Sequence, residues 1–489
     1  MTIANKTNDP PATSLRRNWL LWLLIFFLLS RVILYQFVPF RMDRINDFMQ
    51  FLDPALLQSD LFGSLWQFHS QPPLHNLLVG LIVNIFPTTL QGDVMASIYT
   101  LLALSVILGL YSLCLHRGIR PSIAFAVSAI FSLSPTLIWA ERLPIYVLPI
   151  MAVLVAMAIV LQKYVTTRRP LFALLFIAGI VYLPLTRSLF HLLVWMPPLL
   201  VGFLLLVRNV DRGRLRLYTA VSIVGFLLVG GLYTKNKIEY GAFTGSTWQG
   251  MNLQGLTAFV SEEKVRQLID EGEITPLALV PRFSSPSTYY RYYQRSPQHQ
   301  HPALDDTLRS TGYTNWNNRI YAVAGKESEQ NTLRIAQAYP LDMFLAVVNQ
   351  CYLFCGVKSY QIFNAPSRWW IPRTDSLPHF AVDIFIVYLL PLFNFLLISS
   401  TLFRFVRTFR RARQKGENWT SADHSLFASD LFIGFALLYI LTIACLAELG
   451  EGGNMRVQVD PFLALTAGII VERIASRKVV TSDEQILPQ

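Results

Sequence analysis

Apolar runs near 20 residues long recur from one end of this chain to the other, and that recurrence most restricts its fold. A run of that length matches the hydrocarbon thickness of a bilayer, and only helices or closed barrels satisfy their backbone groups there. The reading is an all-α polytopic membrane protein. Composition agrees: 53% of residues are hydrophobic and 15% charged, against about 25% charged for a soluble protein. The first run, Trp19 to Val38, is too long for a signal-peptide core and lacks a small-residue cleavage site, so it is expected to remain as an anchor. The formal charge of +11 does not point to nucleic acid, because the basic residues sit in short clusters between apolar runs. The four cysteines do not suggest a disulfide framework; Cys351 and Cys355 read as helix neighbours used in packing.

Basic clusters mark the cytoplasmic side of a membrane protein. Placing Arg16-Arg17, Arg117 with Arg120, Arg168-Arg169, Arg208 to Arg216, Arg404 to Lys415 and Arg473 to Lys478 inside gives one consistent path. Spans are expected near 18–38, 94–115, 121–139, 143–163, 171–186, 189–207, 216–234, 380–403, 426–446 and 457–474, about ten helices with both termini inside. Leu74 to Phe86, about 13 apolar residues, is shorter than the roughly 17 needed to cross and is expected to lie at the outer interface. The domain plan follows: a tail over 1–17, a transmembrane module over 18–234 with an outer loop over 39–93, a large outer loop over 235–379, further membrane helices over 380–474, and a tail over 475–489. The end of the large loop, Tyr339 to Tyr360, reads as a second interfacial helix, and nothing suggests a separate soluble domain.

The polar residues that could carry chemistry gather in the outer loops. In the first, Asp53 and Asp60 read as turn and cap residues, and Asp43 as a partner of Arg41 or Arg44. Asp47 has Phe48 and Phe51 nearby and no basic neighbour after it. A carboxylate among aromatics at an interface holds a proton more tightly and can act as a general base, although a solvated loop aspartate would read the same way. His69, ahead of the stiff Gln71-Pro72-Pro73 entry to the interfacial helix, is either a capping group or a substrate contact. His69 and His75 are six apart, which is not a helical metal spacing. Glu141-Arg142 at a span end is a local salt bridge or a substrate contact. Arg187, alone in a short outer turn, calls for an anionic partner such as a phosphate. The large loop offers Lys235, Trp248 among Gly and Ser, and the polar cluster Asn315-Trp316-Asn317-Asn318. The last outer loop, ELGEGGNMRVQVDP, offers Glu451 and Arg456 beside glycines that allow close backbone approach.

The order of these pieces resembles the GT-C superfamily of membrane glycosyltransferases. There the first span is followed by an outer loop with a catalytic acid, two juxtamembrane helices and a His-Pro-Pro-Leu-like turn. Here that turn is His69-Ser70-Gln71-Pro72-Pro73-Leu74, with Phe48 where the family's Asp-Glu pair would place its Glu. The resemblance implies that Asp47 is the catalytic aspartate and that Arg187 and Arg456 contact a lipid phosphate. It implies an inverting enzyme that moves a sugar from a polyprenyl-phosphate donor to a hydroxyl of a glycan, lipid or protein acceptor. The site would face the periplasm or cell exterior, in a bacterial inner membrane. The leaving phosphate needs positive charge, from arginine or from a divalent metal. Two rivals are a transporter or flippase of lipid-linked glycans, expected to show broken helices near mid-membrane, and a surface-polysaccharide polymerase or ligase.

Overall fold

The computed structural model describes residues 12–294, 300–356, 389–414, 420–447 and 452–484. Among them the only β-structure is an isolated bridge between Leu308 and Thr314. The helices run α1 (Ala12–Phe37), α2 (Pro54–Ser59), α3 (Leu61–Trp66), α4 (Leu74–Ile85), α5 (Thr88–His116), α6 (Pro121–Ser132) and α7 (Pro135–Arg142). They continue with α8 (Val147–Thr167), α9 (Pro170–Thr186), α10 (Leu192–Leu206), α11 (Arg212–Tyr240), α12 (Gln249–Gln254), α13 (Glu262–Asp270), α14 (Pro286–Tyr289) and α15 (Pro302–Asp305). The last are α16 (Ile320–Ala338), α17 (Pro340–Cys355), α18 (Leu390–Gln414), α19 (Ser421–Ala447), α20 (Gly452–Val457) and α21 (Asp460–Glu484).

The chain is an all-α, multi-pass membrane protein. Six described helices are long and apolar enough to cross a membrane, or seven if α6 and α7 form one span. Each of the ten expected spans has a helix among the described residues, although not every one is long and apolar enough by itself to cross. The helices α9 and α10 are short, with Pro184 in one and Pro197-Pro198 in the other. Helix α21 carries Glu472, Arg473 and Arg477 in its second half. The span expected near 380–403 is found as α18, which begins at Leu390; residues 380–388 lie outside the described residues. Exposed Leu21, Trp22, Leu28 and Val32 on α1 and Val224, Leu227 and Leu228 on α11 give the apolar outer surface that lipid requires. Helix α8 is the central post: it packs on α5, α9 and α19 and buries Leu148, Met151, Leu154 and Ala158.

One expectation is corrected. The segment read as a single span near 121–139 breaks after Ser132 and bends by 54°. Pro135 cannot donate into a continuing helix, and Ser134 caps the new one by accepting from the Leu137 amide. The large loop carries structure of its own. Residues 248–346 build two small cores of their own, one around Trp248, Met251 and Tyr321 and one around Leu256, Leu268 and Ile335. In this lobe α12 meets α16 backbone to backbone: a Cβ on Gly250 would collide with the Gly325 carbonyl oxygen, and one on Gly325 with the carbonyl of Thr247 just before α12. Helix α4 is a 12-residue helix, as expected, and buries Asn76, Val79, Ile82 and Val83. Helix α17 forms where a second short helix was expected and packs on α19 and α20, bringing the Cys351 thiol within 2.8 Å of Cys445.

Candidate functional site

The site is assembled where the α1–α5 loop, the α7–α8 and α9–α10 turns and the lobe after α11 meet at one end of the bundle. The first loop leaves α1 and is fixed to the α7 end by the Arg41 amide, which donates to the Arg142 carbonyl at 2.9 Å. A short 3-10 turn, Met42–Ile45, then folds Arg44 back over Asp47. The two pair at 2.6 Å, Nη1 to Oδ2. Asp47 was expected to lack a paired cation, and this corrects it: the cation precedes the carboxylate by three residues, within reach in a 3-10 turn. The other oxygen, Asp47 Oδ1, is buried with no hydrogen-bond partner among the described residues. Asp43 pairs with Arg41 at 2.7 Å, one of the two arginines expected.

The Asp47 turn is gripped from the lobe. Arg309 Nη1 donates to the Asn46 and Phe48 carbonyls at 3.3 and 3.0 Å, and Thr311 Oγ1 to Asn46 at 3.1 Å. Burial pulls the Arg309 guanidinium down to about 10, against the opposing effect of Asp53 and Asp47. Further along, Asn76 of α4 accepts from the Leu52 amide and donates to the Gln50 carbonyl, both at 2.9 Å.

The His69–Ser70 segment is held as tightly. Asn317 Oδ1 accepts from the amides of His69 (2.9 Å) and Ser70 (3.1 Å), and its Nδ2 donates to the Gln67 carbonyl at 3.1 Å. The Thr247 amide donates to the His69 carbonyl at 3.0 Å, and its hydroxyl lies 2.7 Å from His69 Nδ1. Burial, with the nearby Lys235 cation adding to it, pushes the His69 imidazole down to about 3. Its Nε2 is buried with no partner among the described residues. His69 is therefore a neutral, interior ring between the loop and the lobe.

Several predicted residues are engaged in structure. Lys235 Nζ donates to the Trp66 and Phe68 carbonyls at 2.8 and 2.9 Å, closing the end of α3. It also lines a cavity of about 660 Å³ walled by Leu192, Phe226, Leu227 and Gly230-Gly231. Trp248 is buried, its ring N–H donating to the Trp316 carbonyl at 3.1 Å. Asn315 holds the Ala303 and Asp306 carbonyls at 3.1 and 2.8 Å within the lobe. Glu141 is buried and pairs with Arg31 of α1 at 2.8 Å, with the Thr100 hydroxyl at 3.2 Å. Arg187 is buried beneath the loops with its guanidinium 5.0 Å from the Tyr146 ring centre; the next residue, Ser188, donates to Gln71 Oε1 at 3.2 Å. Tyr439 locks this turn, accepting from the His191 amide at 2.8 Å and donating to the Leu189 carbonyl at 2.7 Å. Arg456 sits elsewhere, at the foot of α17, donating to the Cys355 and Gly356 carbonyls at 2.7 and 2.9 Å and pairing with Asp460 at 3.0 Å. Glu451 lies outside the described residues.

The structure thus draws Asp47, His69, Lys235, Trp248 and Asn315 into the contact zone between the first loop and the lobe; Arg187 lies against Tyr146, and its neighbour Ser188 is tied to Gln71. It turns Glu141 and Arg456 to internal ion pairs. Sequence reasoning missed Arg31, Arg309 and Asn317. Arg31 was signalled by a lone arginine in the first apolar run; Asn317 lay inside the flagged polar cluster; Arg309 had no local signal. Among the described residues no group of three or more His, Cys, Asp and Glu side chains could hold a metal ion.

No protein-family model matches the sequence, and no curated protein matches it. Among solved structures, the apo-state crystal structure of ArnT from Cupriavidus metallidurans is similar over 87% of this chain and 77% of that one, at 14% identity and a TM-score of 0.28. A likeness that weak carries no weight, and function rests on this chain's own residues.

Proposed function

We propose that this membrane protein is an inverting glycosyltransferase of the GT-C kind, moving a sugar from a polyprenyl-phosphate donor to a hydroxyl acceptor at the loop end of the bundle. The observation that carries the reading is the Asp47 carboxylate. One oxygen is oriented by Arg44, the other is buried and has no partner among the described residues, and Arg309 fixes the backbone beneath it. A general base needs this combination of a free lone pair and a rigid mount.

In this reading Asp47 takes the proton of the acceptor hydroxyl. The acceptor oxygen forms its bond to the anomeric carbon as the bond to the phosphate oxygen breaks from the opposite face, and the configuration inverts. The phosphate leaves as an anion, so no general acid is required; positive charge near it is what lowers the barrier. Arg187 beneath the loops is one source. Lys235 is another, with two carbonyl contacts and a third N–H, in the lining of an apolar cavity of a size for an isoprenoid chain. The apolar helices and the amphiphilic site suit a lipid-borne donor, delivered at the outer face of a bacterial inner membrane.

Asp47→Asn tests the reading. The amide keeps the size and the contact with Arg44 but cannot accept the proton, so turnover with a polyprenyl-phosphate sugar should fall by about 10²–10⁴ while the thermal midpoint holds. Asp43→Asn, on an exposed carboxylate paired with Arg41, should stay within a fewfold of wild type. Near-normal turnover of Asp47→Asn would remove Asp47 as the base and favour transport of a lipid-linked glycan, for which the broken α6–α7 helix would then be the first place to look.

A further inference from the structure

A second site lies at the opposite end of the bundle, among residues the proposed chemistry does not use. The C-terminal end of α5, the second half of α18, the start of α19 and the second half of α21 surround a cavity of about 950 Å³. The first loop, by contrast, sits at the N-terminal end of α5. Five arginines and three carboxylates line the cavity among the described residues.

These charges do not cancel. Asp430 is shared: Arg117 Nη1 reaches its Oδ2 at 2.7 Å and Arg404 Nε its Oδ1 at 3.2 Å. Glu472 is taken from outside the cavity by Arg120, at 3.0 Å. The side chain of Arg117 is only 7% exposed, yet its Nε has no hydrogen-bond partner among the described residues; Arg404 Nη1 is in the same condition. Arg407 and Arg473 stand exposed at the rim with no carboxylate partner among the described residues. Two buried guanidiniums on one carboxylate leave a net positive charge in a poorly solvated place, and such a charge is stabilised by an anion that accepts several N–H bonds.

We propose that this cavity is a binding site for a phosphate-bearing anion at the membrane face opposite the outer-loop assembly. A phosphate there would take the free Arg117 and Arg404 donors at its base and Arg407 and Arg473 from the rim. The phosphate could belong to an anionic phospholipid of that leaflet, since basic pockets between membrane helices collect such headgroups, or to a soluble polyphosphate. The inference does not depend on the glycosyltransferase reading, and its test does not use turnover.

The full-length protein is placed in phosphatidylcholine nanodiscs carrying a small fraction of phosphatidylglycerol, and retained lipid is counted by native mass spectrometry. In a parallel arm, inorganic pyrophosphate is titrated into pure phosphatidylcholine nanodiscs and the thermal midpoint is read. Wild type should enrich phosphatidylglycerol, with the enrichment shrinking as salt is raised, or should be stabilised by pyrophosphate. The first outcome assigns the phosphate to a lipid and the second to a soluble anion. Each arginine near an anionic group contributes about fivefold, so Arg407→Gln with Arg473→Gln should lower the responding arm by roughly thirtyfold. Should that variant fold poorly, the wild-type arms alone decide. No enrichment and no stabilisation in wild type, or an equal response from wild type and a folded variant, overturns the proposal.

Discussion

Replacing Asn317 by alanine should unfasten the first loop from the lobe. The Asn317 side chain is buried and makes four hydrogen bonds to two separate segments. It accepts from the His69 and Ser70 amides at 2.9 and 3.1 Å and donates to the Gln67 and Ala303 carbonyls at 3.1 and 3.2 Å. Each such bond contributes about 1 kcal/mol net, and a buried amide left unsatisfied costs somewhat more, so Asn317→Ala should weaken the clamp by about 3–5 kcal/mol. Opening of the 67–70 segment would then be favoured by roughly 10²–10⁴. Hydrogen exchange followed on peptides covering Leu61–Leu74 in detergent should show the His69 and Ser70 amides exchanging faster by that factor. Amides in the middle of α8 should keep their protection. Unchanged exchange at His69 and Ser70 in a folded Asn317→Ala protein would refute the clamp.

Glu141→Gln leaves Arg31 buried without its counter-charge and should cost about 3–5 kcal/mol in thermal unfolding, while Arg31→Met with Glu141→Leu should recover most of it. A stable Glu141→Gln that loses donor binding would instead make Glu141 a ligand contact. His69 titrates near 3 when folded and near 6.5 when unfolded, so the unfolded state binds the extra proton between those values. The His69 contribution is therefore complete above about pH 6.5 and is lost progressively as the pH falls toward 3. The unfolding midpoint should drop more steeply on acidification in wild type than in His69→Gln; parallel curves would place His69 in solvent. Gly325→Ala drives a methyl into the Thr247 carbonyl, which can yield only by moving backbone, and should cost about 1–3 kcal/mol or more and loosen His69. A neutral result by thermal shift would show that α12 and α16 do not meet as described.

The membrane helices were legible because their cause is local: a run of apolar residues of bilayer length states its own environment. The break at Ser134-Pro135 was equally local and could have been read from its cap and proline. What could not be read was pairing. Arg44 precedes Asp47, and only the 3-10 turn between them brings the guanidinium back over the carboxylate. The cluster Asn315 to Asn318 was visibly unusual, but which amide would reach His69 depends on the lobe's fold across nearly 250 residues of chain. Arg31 was legible and passed over: an arginine inside an apolar run requires a partner, and Glu141, at a span end on the same side, supplies it. Arg456, placed on a phosphate by resemblance, instead caps α17, because a buried helix end needs donors for its last carbonyls.

The lobe is best understood through the backbone groups it satisfies. The carbonyls of Asn46, Phe48 and Gln67 and the amides of His69 and Ser70 belong to a loop with no sheet and little helix to pair them. Their side-chain partners are Arg309, Thr311 and Asn317 from the lobe, with Tyr240 of α11 also donating to Gln67. Unpaired, these groups would have to face water, and the loop would lose the buried positions now held by Phe51, Leu52 and Phe68. The Asp47 turn and the lobe are therefore one structural unit despite their distance in sequence. A substrate that shifts the lobe by even one hydrogen-bond length would move the carboxylate with it. If Asp47 is the base, as proposed, its position is set by the lobe as much as by its own loop.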